Sequence, residues 1–575
     1  MWQRILMIVI AFAISGPARA GDLKYKDRLV KQLADHVPGI LKTYDAKTGR
    51  FGTGIFICRD QNLMYPLAAA YATAGQGNPF HKDAKLLDVI MKAGDALIED
   101  ADENGQWVFR KKDGSTWGNI FMPWTYSRWI RSFGLIRDDM PPERRKKWAD
   151  ALTLGYTGIS KRCLGHVHNI PTHHAMGLYA AGKVFERPEW CKQAAEFMMR
   201  VVKHQAEGGY WSEGGGPVVL YNFVYVDALG TYYAMSGDER VRPALEKTAA
   251  FHRHFTYPGG ENVETIDQRN PYHHGVRPGN VGFTFSPVGR AYLETQWKHC
   301  DGNLAADLIA SLLLYGEEGP IAELPSGETD TFVLKANQQD RAATRRQGPW
   351  FVCLSAFTGP IVKSRWIQDR QNFVSIYHDK SGLILGGGNT KLQPAWSNFT
   401  VGDMTLLKHT PGETHPDFLP KGELFHVPSA AKLVLEPEPG LDLTYGKETC
   451  RVRIRIKDDR TTAYVIETTA VSGLPVVAHL TLIPHLNKPL ATAAGRKVTI
   501  GAEPVTLNAE QVGGRIDYAG YRLLVPASAS LHWPTLPHNP YRRDGRASPS
   551  EGRIEIRVPF DKDHPKHEIV LEIVE

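Results

Sequence analysis

Apolar residues recur every three or four positions between residues 26 and 316, which is the spacing of amphipathic helices. Five of these segments end near a glycine, and each glycine is followed by a polar or proline-bearing turn and a second helical segment. The five glycines are Gly75, Gly134, Gly182, Gly237 and Gly302. The pattern therefore predicts repeated helical hairpins, preceded by one further helix over residues 26–41.

The sequence also indicates how these hairpins are arranged. The stretches that precede several of the first helices are rich in aromatic, histidine and glycine residues. Such non-uniform stretches suit a shared cavity, whereas open solenoids carry more uniform repeats. We therefore predict that residues 21–316 form a closed (α/α) toroid.

The apolar period changes to two in the last part of the chain. From about residue 348 to residue 575, strand-like runs alternate with turns rich in Gly, Pro, Asp and Asn. In residues 451–456 arginines alternate with aliphatic residues, which places the arginines on one face. This part is predicted to be an antiparallel β-sandwich, and residues 317–347, which lack either period, are predicted to be a linker. The expected fold class is α+β and multidomain.

The first twenty residues are typical of a signal peptide. Arg4 precedes an apolar run over residues 5–14, and Ala18-Arg19-Ala20 has the small-residue form of a cleavage site. No later window offers about twenty apolar residues, so no membrane span is expected. We expect a periplasmic or secreted protein whose mature chain begins at Gly21.

The net charge and the spacing of the cysteines exclude some classes of function. The formal net charge is +6, and removal of the leader would leave about +4. This excess is too small for a nucleic-acid binder but compatible with an acidic polymer as substrate. The six cysteines are scattered, without the short spacings of a zinc site, and we expect most of them to be buried small hydrophobic residues.

Tryptophans are concentrated in residues 117–129. The stretch could provide a wall on which sugar rings stack, or a hydrophobic plug between helices. Its candidate substrate-binding residues are Trp117, Asn119, Trp124 and Arg128.

Histidines are concentrated in residues 166–174, directly before an apolar helix. Pro171 marks the helix start, so the polar residues of this stretch lie where backbone N–H groups attract anions. They are His168, Asn169, His173 and His174. Because no acidic or cysteine ligand follows at a familiar spacing, carboxylate binding or plain packing is favoured over a metal site.

Two further stretches carry groups suited to proton transfer and anion binding. In residues 208–233, three glycines precede Pro217, which is expected to open a helix. Tyr221 and Tyr225 are four residues apart and share a face of that helix, with Asn222 and Glu213 nearby. Residues 265–280 form a long aperiodic loop, the kind of segment that often carries binding residues. Its polar and aromatic candidates are Asp267, Arg269, Tyr272, His273, His274 and Arg277.

Together, these stretches resemble polysaccharide lyases that combine a helical toroid with an antiparallel sandwich. These include the heparinase II/III-like enzymes, the related alginate lyases and the chondroitin and hyaluronate lyases. In that superfamily the toroid carries an Asn, a His or Tyr base, a Tyr acid and often an Arg. The resemblance implies catalytic roles for Asn169, His173, Tyr221, Tyr225 and Arg269. The glycine run and Pro217 lengthen the approach to the tyrosine helix, so the family spacing does not rank Tyr221 against Tyr225.

The resemblance implies β-elimination on a 4-linked uronate. Asn169 and Arg269 or Arg277 would neutralise the substrate carboxylate, because its charge otherwise prevents removal of the C5 proton. A histidine, His173 or His174, or a tyrosine would act as base, and Tyr221 or Tyr225 would protonate the leaving oxygen. No metal or cofactor is required, although a structural ion is compatible with this chemistry. The modest charge favours a non-sulphated alginate- or glucuronan-like polymer over a sulphated one.

Two other functions compete with this interpretation. A glycoside hydrolase on a similar toroid needs two carboxyl groups facing one bond, and Glu213, Asp227 and Asp267 are available. A non-catalytic carbohydrate-binding protein would use the tryptophans and the sandwich. Nothing in the sequence indicates the oligomeric state or distinguishes cutting at chain ends from cutting within the chain.

Overall fold

Helical hairpins occupy the N-terminal half of the chain, and strands occupy the C-terminal half. The structure, a computed structural model, describes residues 19–52, 57–111, 113–213, 215–269, 275–323, 329–391, 393–406 and 423–574. Residues 1–18 of the predicted signal peptide lie outside the described residues. The helices are α1 (Lys26–Leu41), α2 (Ile57–Asp60), α3 (Met64–Ala72), α4 (Ala84–Asp100), α5 (Pro123–Ile136), α6 (Pro142–Arg162), α7 (Asn169–Val184), α8 (Pro188–Lys203), α9 (Val219–Ser236), α10 (Arg242–His254), α11 (Pro287–His299), α12 (Ala306–Tyr315) and α13 (Ala509–Val512).

The hairpins close into a ring, as the sequence predicts. Helices α3, α5, α7 and α9 pack in succession, and α12 contacts both α9 and α3, which completes the ring. The last hairpin differs from the others because its second helix, α12, joins the ring of inner helices. Close approach between α5 and α6 requires Gly155, where a Cβ atom would come within 2.1 Å of the Tyr126 hydroxyl oxygen.

The strands of the described residues are short and antiparallel. They are β1 (Arg19–Leu23), β2 (Tyr44–Asp45), β3 (Arg50–Phe51), β4 (Trp107–Arg110), β5 (Thr116–Ile120), β6 (Gly319–Ala322), β7 (Thr329–Ala336), β8 (Gln339–Gln347), β9 (Trp350–Ser355), β10 (Val374–His378), β11 (Gly382–Leu385), β12 (Phe399–Gly402), β13 (Leu424–Phe425), β14 (Ala430–Val434), β15 (Gly440–Tyr445), β16 (Glu448–Ile456), β17 (Thr461–Thr468), β18 (Val476–Leu482), β19 (Lys488–Thr492), β20 (Lys497–Ile500), β21 (Val505–Leu507), β22 (Arg515–Tyr518), β23 (Tyr521–Leu524), β24 (Ser530–Thr535), β25 (Arg553–Pro559) and β26 (Lys566–Ile573).

Two large sheets form the C-terminal sandwich. One has the order β21-β24-β25-β18-β11-β10-β9-β8-β7, with β12 paired to β18 and β13 paired to β12. The other has the order β14-β15-β16-β17-β26-β23-β22-β19-β20. In β16, Val452 and Ile454 are buried between the sheets while Arg453 pairs with Asp442 at 2.6 Å, so the predicted alternation is confirmed.

Strand β9 shows how the sandwich joins the toroid. All six of its residues are buried. Trp350 and Val352 pack between the two sheets, whereas Phe351 and Cys353 point to the opposite face and pack with toroid residues such as Phe255. The first sheet is therefore covered on both faces, and the two units share an apolar interface.

The predicted linker over residues 317–347 is wrong in its described part. Strand β6 pairs with β1, and β7 and β8 pair with each other and extend the first sheet through β9. Strand β7 lies at the end of that sheet, where most of its residues are only partly buried. A strand with so few buried positions needs few apolar residues. The alternation of apolar and polar residues that marks a strand is therefore weak in this part of the sequence.

The expectation that most cysteines are buried is met only in part. All six cysteines are unpaired, but Cys58, Cys353 and Cys450 are buried whereas Cys163, Cys191 and Cys300 are only partly buried. Among the described residues, no helix has the length and apolar character to cross a membrane.

Candidate active site

Asn169 lies partly buried at the N-terminus of α7. His168 precedes the helix, Asn169 is its first residue, and Pro171 lies in its first turn, as predicted. The Asn169 side-chain oxygen accepts a hydrogen bond from the backbone N–H of Ile170 at 2.8 Å. Among the described residues no acceptor is bound to its amide nitrogen, so this N–H₂ group and the helix terminus are available to an anion.

Of the three candidate histidines at the start of α7, which are His168, His173 and His174, only His168 is exposed. His173 is 1% exposed and lies 3.5 Å from Asp227, and burial lowers its pKa although Asp227 opposes this effect. Burial lowers the pKa of His174 to about 3. The prediction that His174 binds substrate is therefore corrected, because packing removes this side chain from the cavity surface. Within the described residues no three potential ligands among His, Cys, Asp and Glu form a metal cluster.

Tyr225 is a buried residue that supports the loop before α9. Its ring stacks on Trp211 at 5.0 Å between centroids, and its hydroxyl donates to Glu213 at 2.9 Å. Burial, with a smaller contribution from Glu213, raises the pKa of Tyr225. The second Glu213 oxygen lies 4.0 Å from His168, which connects this loop to the start of α7. Glu213 and Tyr225 therefore bring the two helix termini together.

Tyr221 is half-buried and contacts the predicted arginine. The Arg269 guanidinium donates to the Tyr221 hydroxyl oxygen at 3.0 Å and lies 5.2 Å from the centre of its ring. Asp267 accepts hydrogen bonds from the backbone N–H groups of Val219 and Arg269, at 2.8 and 2.7 Å. Helix α9 begins at Val219, two residues later than Pro217 suggests, and Asp267 caps it. Tyr221 and Arg269 thus form the polar pair that can act on a substrate.

Asn222 does not face the substrate, which corrects its prediction. It is 1% exposed, its side-chain oxygen accepts from the backbone N–H of Trp211, and its nitrogen donates to Thr248 and His252. One residue along a helix turns the side chain by roughly 100°, so Asn222 points away from the direction of Tyr221. Its role is to satisfy buried polar groups between α9 and α10.

The tryptophan stretch divides into surface and core residues. Trp117 is 61% exposed on β5 and stacks on Phe109, and Trp124 is half-buried beside His173. In contrast, Trp129 packs in the toroid core. Neither the sugar-stacking wall nor the hydrophobic plug describes the whole stretch.

Two polar residues of the same stretch already have protein partners. Asn119 donates to Asp102 at 2.8 Å on the exposed hairpin. Arg128 donates two hydrogen bonds to Asp307 of α12, at 2.5 and 2.6 Å, and its side chain is only 14% exposed. The prediction that Arg128 binds substrate is corrected, because this bidentate pair holds two inner helices together.

The loop over residues 265–280 is described only in part. Tyr272, His273 and His274 lie outside the described residues. Arg277 is exposed, and its carbonyl accepts from Gln296. Among the described arginines of this loop, only Arg269 contacts a predicted catalytic residue.

The sandwich contributes site residues that the sequence analysis missed. Burial raises the pKa of Tyr541 to about 12, and Tyr221, Arg269 and Asp267 are close enough to act on it electrostatically. Its ring lies 6.0 Å from Trp366. Both belong to irregular loops between strands, where no periodicity marks a residue for attention.

The sandwich also fixes the loop that carries Arg269. The backbone carbonyls of Ile266, Asp267 and Gln268 accept hydrogen bonds from the sandwich. The donors are the Arg370 side chain at 3.1 Å, the Asn389 side chain at 2.8 Å and the Gln368 backbone at 3.0 Å. The position of Arg269 therefore depends on both structural units.

The architecture defined here, a closed helical toroid followed by an antiparallel sandwich, is shared with solved structures described as heparinase III. A solved structure described as heparinase III has a TM-score of 0.54 and 11% identity, and covers 89% of this chain and 76% of its own. Another heparinase III has a TM-score of 0.51 and 11% identity, and covers 96% of this chain and 84% of its own. The sequence matches no protein-family model and no curated protein. At this identity the similarity establishes the fold, and the chemistry depends on the residues of the site.

Proposed function

We propose that this protein is a secreted or periplasmic lyase that cleaves a 4-linked uronate polysaccharide by β-elimination. The observation that carries the proposal is the contact of the Arg269 guanidinium with the Tyr221 hydroxyl, on a helix that packs beside the N-terminus of α7. An amide at a helix start, an arginine and a tyrosine are the groups that this elimination needs. The toroid-plus-sandwich fold supports the same class of reaction.

The substrate carboxylate is neutralised in the first part of the proposed reaction. The Asn169 amide, the N-terminus of α7 and the Arg269 guanidinium donate to it, which stabilises the enolate-like intermediate that forms when the C5 proton leaves. Donors fixed before the reaction are effective because they need no reorganisation as charge develops.

Proton transfer is assigned to Tyr221. The Tyr221 oxygen accepts from the Arg269 guanidinium, which would stabilise negative charge on that oxygen. In the proposed sequence Tyr221 first releases its hydroxyl proton to solvent and reacts as the phenolate. Its oxygen takes the C5 proton, the C4–O4 bond breaks as the C4–C5 double bond forms, and Tyr221 passes that same proton to O4, which restores the phenolate. We assign both transfers to one residue because His173 and His174 are buried.

The carboxylates required by the hydrolase alternative have other partners. Asp267 is fully buried and accepts from two backbone N–H groups. Glu213 accepts from Tyr225, and Asp227 lies against His173. None of the three therefore forms the pair of opposed carboxyl groups that hydrolysis uses.

A panel of uronate polysaccharides tests the proposal. Alginate, polyglucuronate, heparosan, heparan sulfate and chondroitin would each be incubated with the mature chain, and ultraviolet absorbance of a new C4–C5 double bond would be followed. We expect the signal with a non-sulphated polymer. New reducing ends without the double bond would replace the lyase with a hydrolase, and binding without either product would indicate a carbohydrate-binding protein.

The proposed reaction includes no metal or cofactor, and this stays a prediction. Turnover is expected to persist after dialysis against a chelator. Loss of turnover that one added metal restores would contradict it.

A further inference from the structure

Two basic side chains lie against the indole ring of Trp366 where the toroid meets the sandwich. Lys111 follows β4 of the toroid, and its ammonium lies 5.3 Å from the ring centre. Arg365 belongs to the sandwich, and its guanidinium also lies 5.3 Å from the ring centre. An aromatic face attracts cations at this distance. The ring thus holds together two cations from different parts of the chain.

Arg365 and Lys111 differ in their direct partners. Arg365 donates to the backbone carbonyls of Arg542 and Arg543 and lies 3.9 Å from Asp113. The charge of Lys111 also acts on the Asp113 carboxylate, but within the described residues Lys111 forms no direct ion pair. Its ammonium can therefore bind a further anionic group.

The position of Lys111 relates it to the candidate active site. Its partner Trp366 lies 6.0 Å from the ring of Tyr541, and Tyr541 is close enough to Tyr221 and Arg269 to interact with them electrostatically. A path of aromatic and basic side chains therefore runs from Tyr221 towards Lys111. A chain of sugar rings with carboxylates along it matches such a surface, because apolar ring faces pack on aromatic rings and carboxylates bind cations.

On the basis of the proposed lyase function, we propose that Lys111 and Trp366 form a second carboxylate-binding subsite. It takes a uronate ring of the same chain, removed from the ring that reacts at Tyr221. This subsite selects substrates that carry a carboxylate on more than one sugar, and it strengthens the binding of long chains over short ones. It acts on substrate binding and not on the chemical step.

The test separates binding from turnover. Lys111→Met removes the charge at similar length, Trp366→Ala removes the ring, and Trp366→Phe keeps an aromatic face. Lys146→Met is the matched control, because Lys146 is an exposed lysine of α6 whose partner is Asp150 at 2.6 Å. With the polymer that is cleaved fastest, we expect Lys111→Met and Trp366→Ala to raise KM roughly 10-fold with kcat within about 2-fold. Trp366→Phe should lie between these variants and the wild type.

Substrate length and direct binding provide the remaining readouts. With the shortest oligosaccharide that is cleaved, the KM of Lys111→Met should equal that of the wild type. Gel electrophoresis through embedded alginate, polyglucuronate or heparosan measures binding without turnover, and Lys111→Met should be retarded less than Lys146→Met. Thermal unfolding of each variant shows whether weaker binding is due to misfolding. If Trp366→Ala does not fold, Trp366→Phe is used in its place.

The outcomes distinguish the subsite from the lyase proposal. If the wild type eliminates a polymer but Lys111→Met and Lys146→Met bind and cleave it equally well, the subsite is wrong and the lyase proposal stands. If the gels retard the wild type but no double bond forms, the lyase proposal fails, and weaker retardation of Lys111→Met still supports the subsite. No retardation and no change of KM would overturn the subsite.

Discussion

The Arg269 guanidinium donates to the Tyr221 hydroxyl at 3.0 Å, although 48 residues separate the two in the chain. Asp267 brings the two residues together, because its carboxylate accepts hydrogen bonds from the backbone N–H of Arg269 and from that of Val219 at the start of α9. One buried carboxylate therefore positions both partners.

The two tyrosines of α9 should respond differently to loss of the hydroxyl. Tyr221→Phe should reduce kcat by roughly 10²–10⁴, because it removes the proposed proton-transfer group, and should leave the melting temperature close to that of the wild type. Tyr225→Phe should keep most of the turnover and lose about 1 kcal/mol of unfolding free energy, because it breaks the hydrogen bond to Glu213. Steady-state kinetics and thermal unfolding measure both. Near-normal turnover in Tyr221→Phe would exclude the proposed role.

Asp267→Asn separates a positioning role from catalysis by a carboxylate. The variant weakens two charge-assisted hydrogen bonds, so we expect a loss of roughly 1.5–3 kcal/mol of unfolding free energy together with lower turnover. Denaturant unfolding and the double-bond assay provide the two measurements. A variant with wild-type stability that no longer forms new reducing ends, while Tyr221→Phe still forms them, would instead point to hydrolysis by Asp267. Glu213→Gln is the companion variant, and it should retain elimination.

Stability should fall in mild acid because of buried neutral histidines. Burial lowers the pKa of His252 and His174 to about 3, whereas in the unfolded chain a histidine has a pKa near 6.5. Below pH 6.5 the unfolded chain takes up protons that the folded chain does not bind, so each histidine removes roughly 1.4 kcal/mol per pH unit down to about pH 3. Chemical denaturation at about pH 7.5 and about pH 5 measures the slope. His252→Gln should reduce that slope, and an unchanged slope would contradict this explanation.

A buried ion pair in the sandwich should be sensitive to loss of one partner. Lys391 donates to Asp369, both are at most 1% exposed, and His426 lies 3.7 Å from the same carboxylate. Lys391→Met should lower the unfolding free energy by about 3–5 kcal/mol, because it leaves a buried charge without its cation. Denaturant unfolding would show this loss. The double variant Lys391→Met with Asp369→Asn should recover part of it, and equal stabilities of single and double variants would argue against the pair.

The fold was predictable where periodicity is strong. The hairpins have helical spacing and glycine stops, and β16 alternates arginines with aliphatic residues over its whole length. Strands β7 and β8 were missed because they lie at or near a sheet edge and bury few side chains. A pattern of buried positions is what period analysis detects, so a strand that buries little leaves a weak signal.

The candidate site was predictable only where its residues lie in distinctive local stretches. Asn169 at a helix start, Tyr221 after a glycine run and Arg269 in a long loop all have local signals. Arg128 also lies in a distinctive local stretch, and the sequence therefore suggested that it binds substrate. Its partner Asp307 follows 179 residues later, and only the closed ring brings the two side chains together. Trp366 and Tyr541 belong to sandwich loops, so their position beside Tyr221 depends on how the two units pack.

The hydrogen bonds from Arg370, Asn389 and Gln368 to the Arg269 loop bear on how proteins of this architecture can be engineered. An exchange of sandwiches between relatives would remove the hydrogen-bond donors that fix that loop, even if the toroid sequence were unchanged. A functional chimera would need the donor's residues 264–269 to be transplanted together with its sandwich. For recombination, the meaningful boundary therefore runs through the toroid and not between the toroid and the strands.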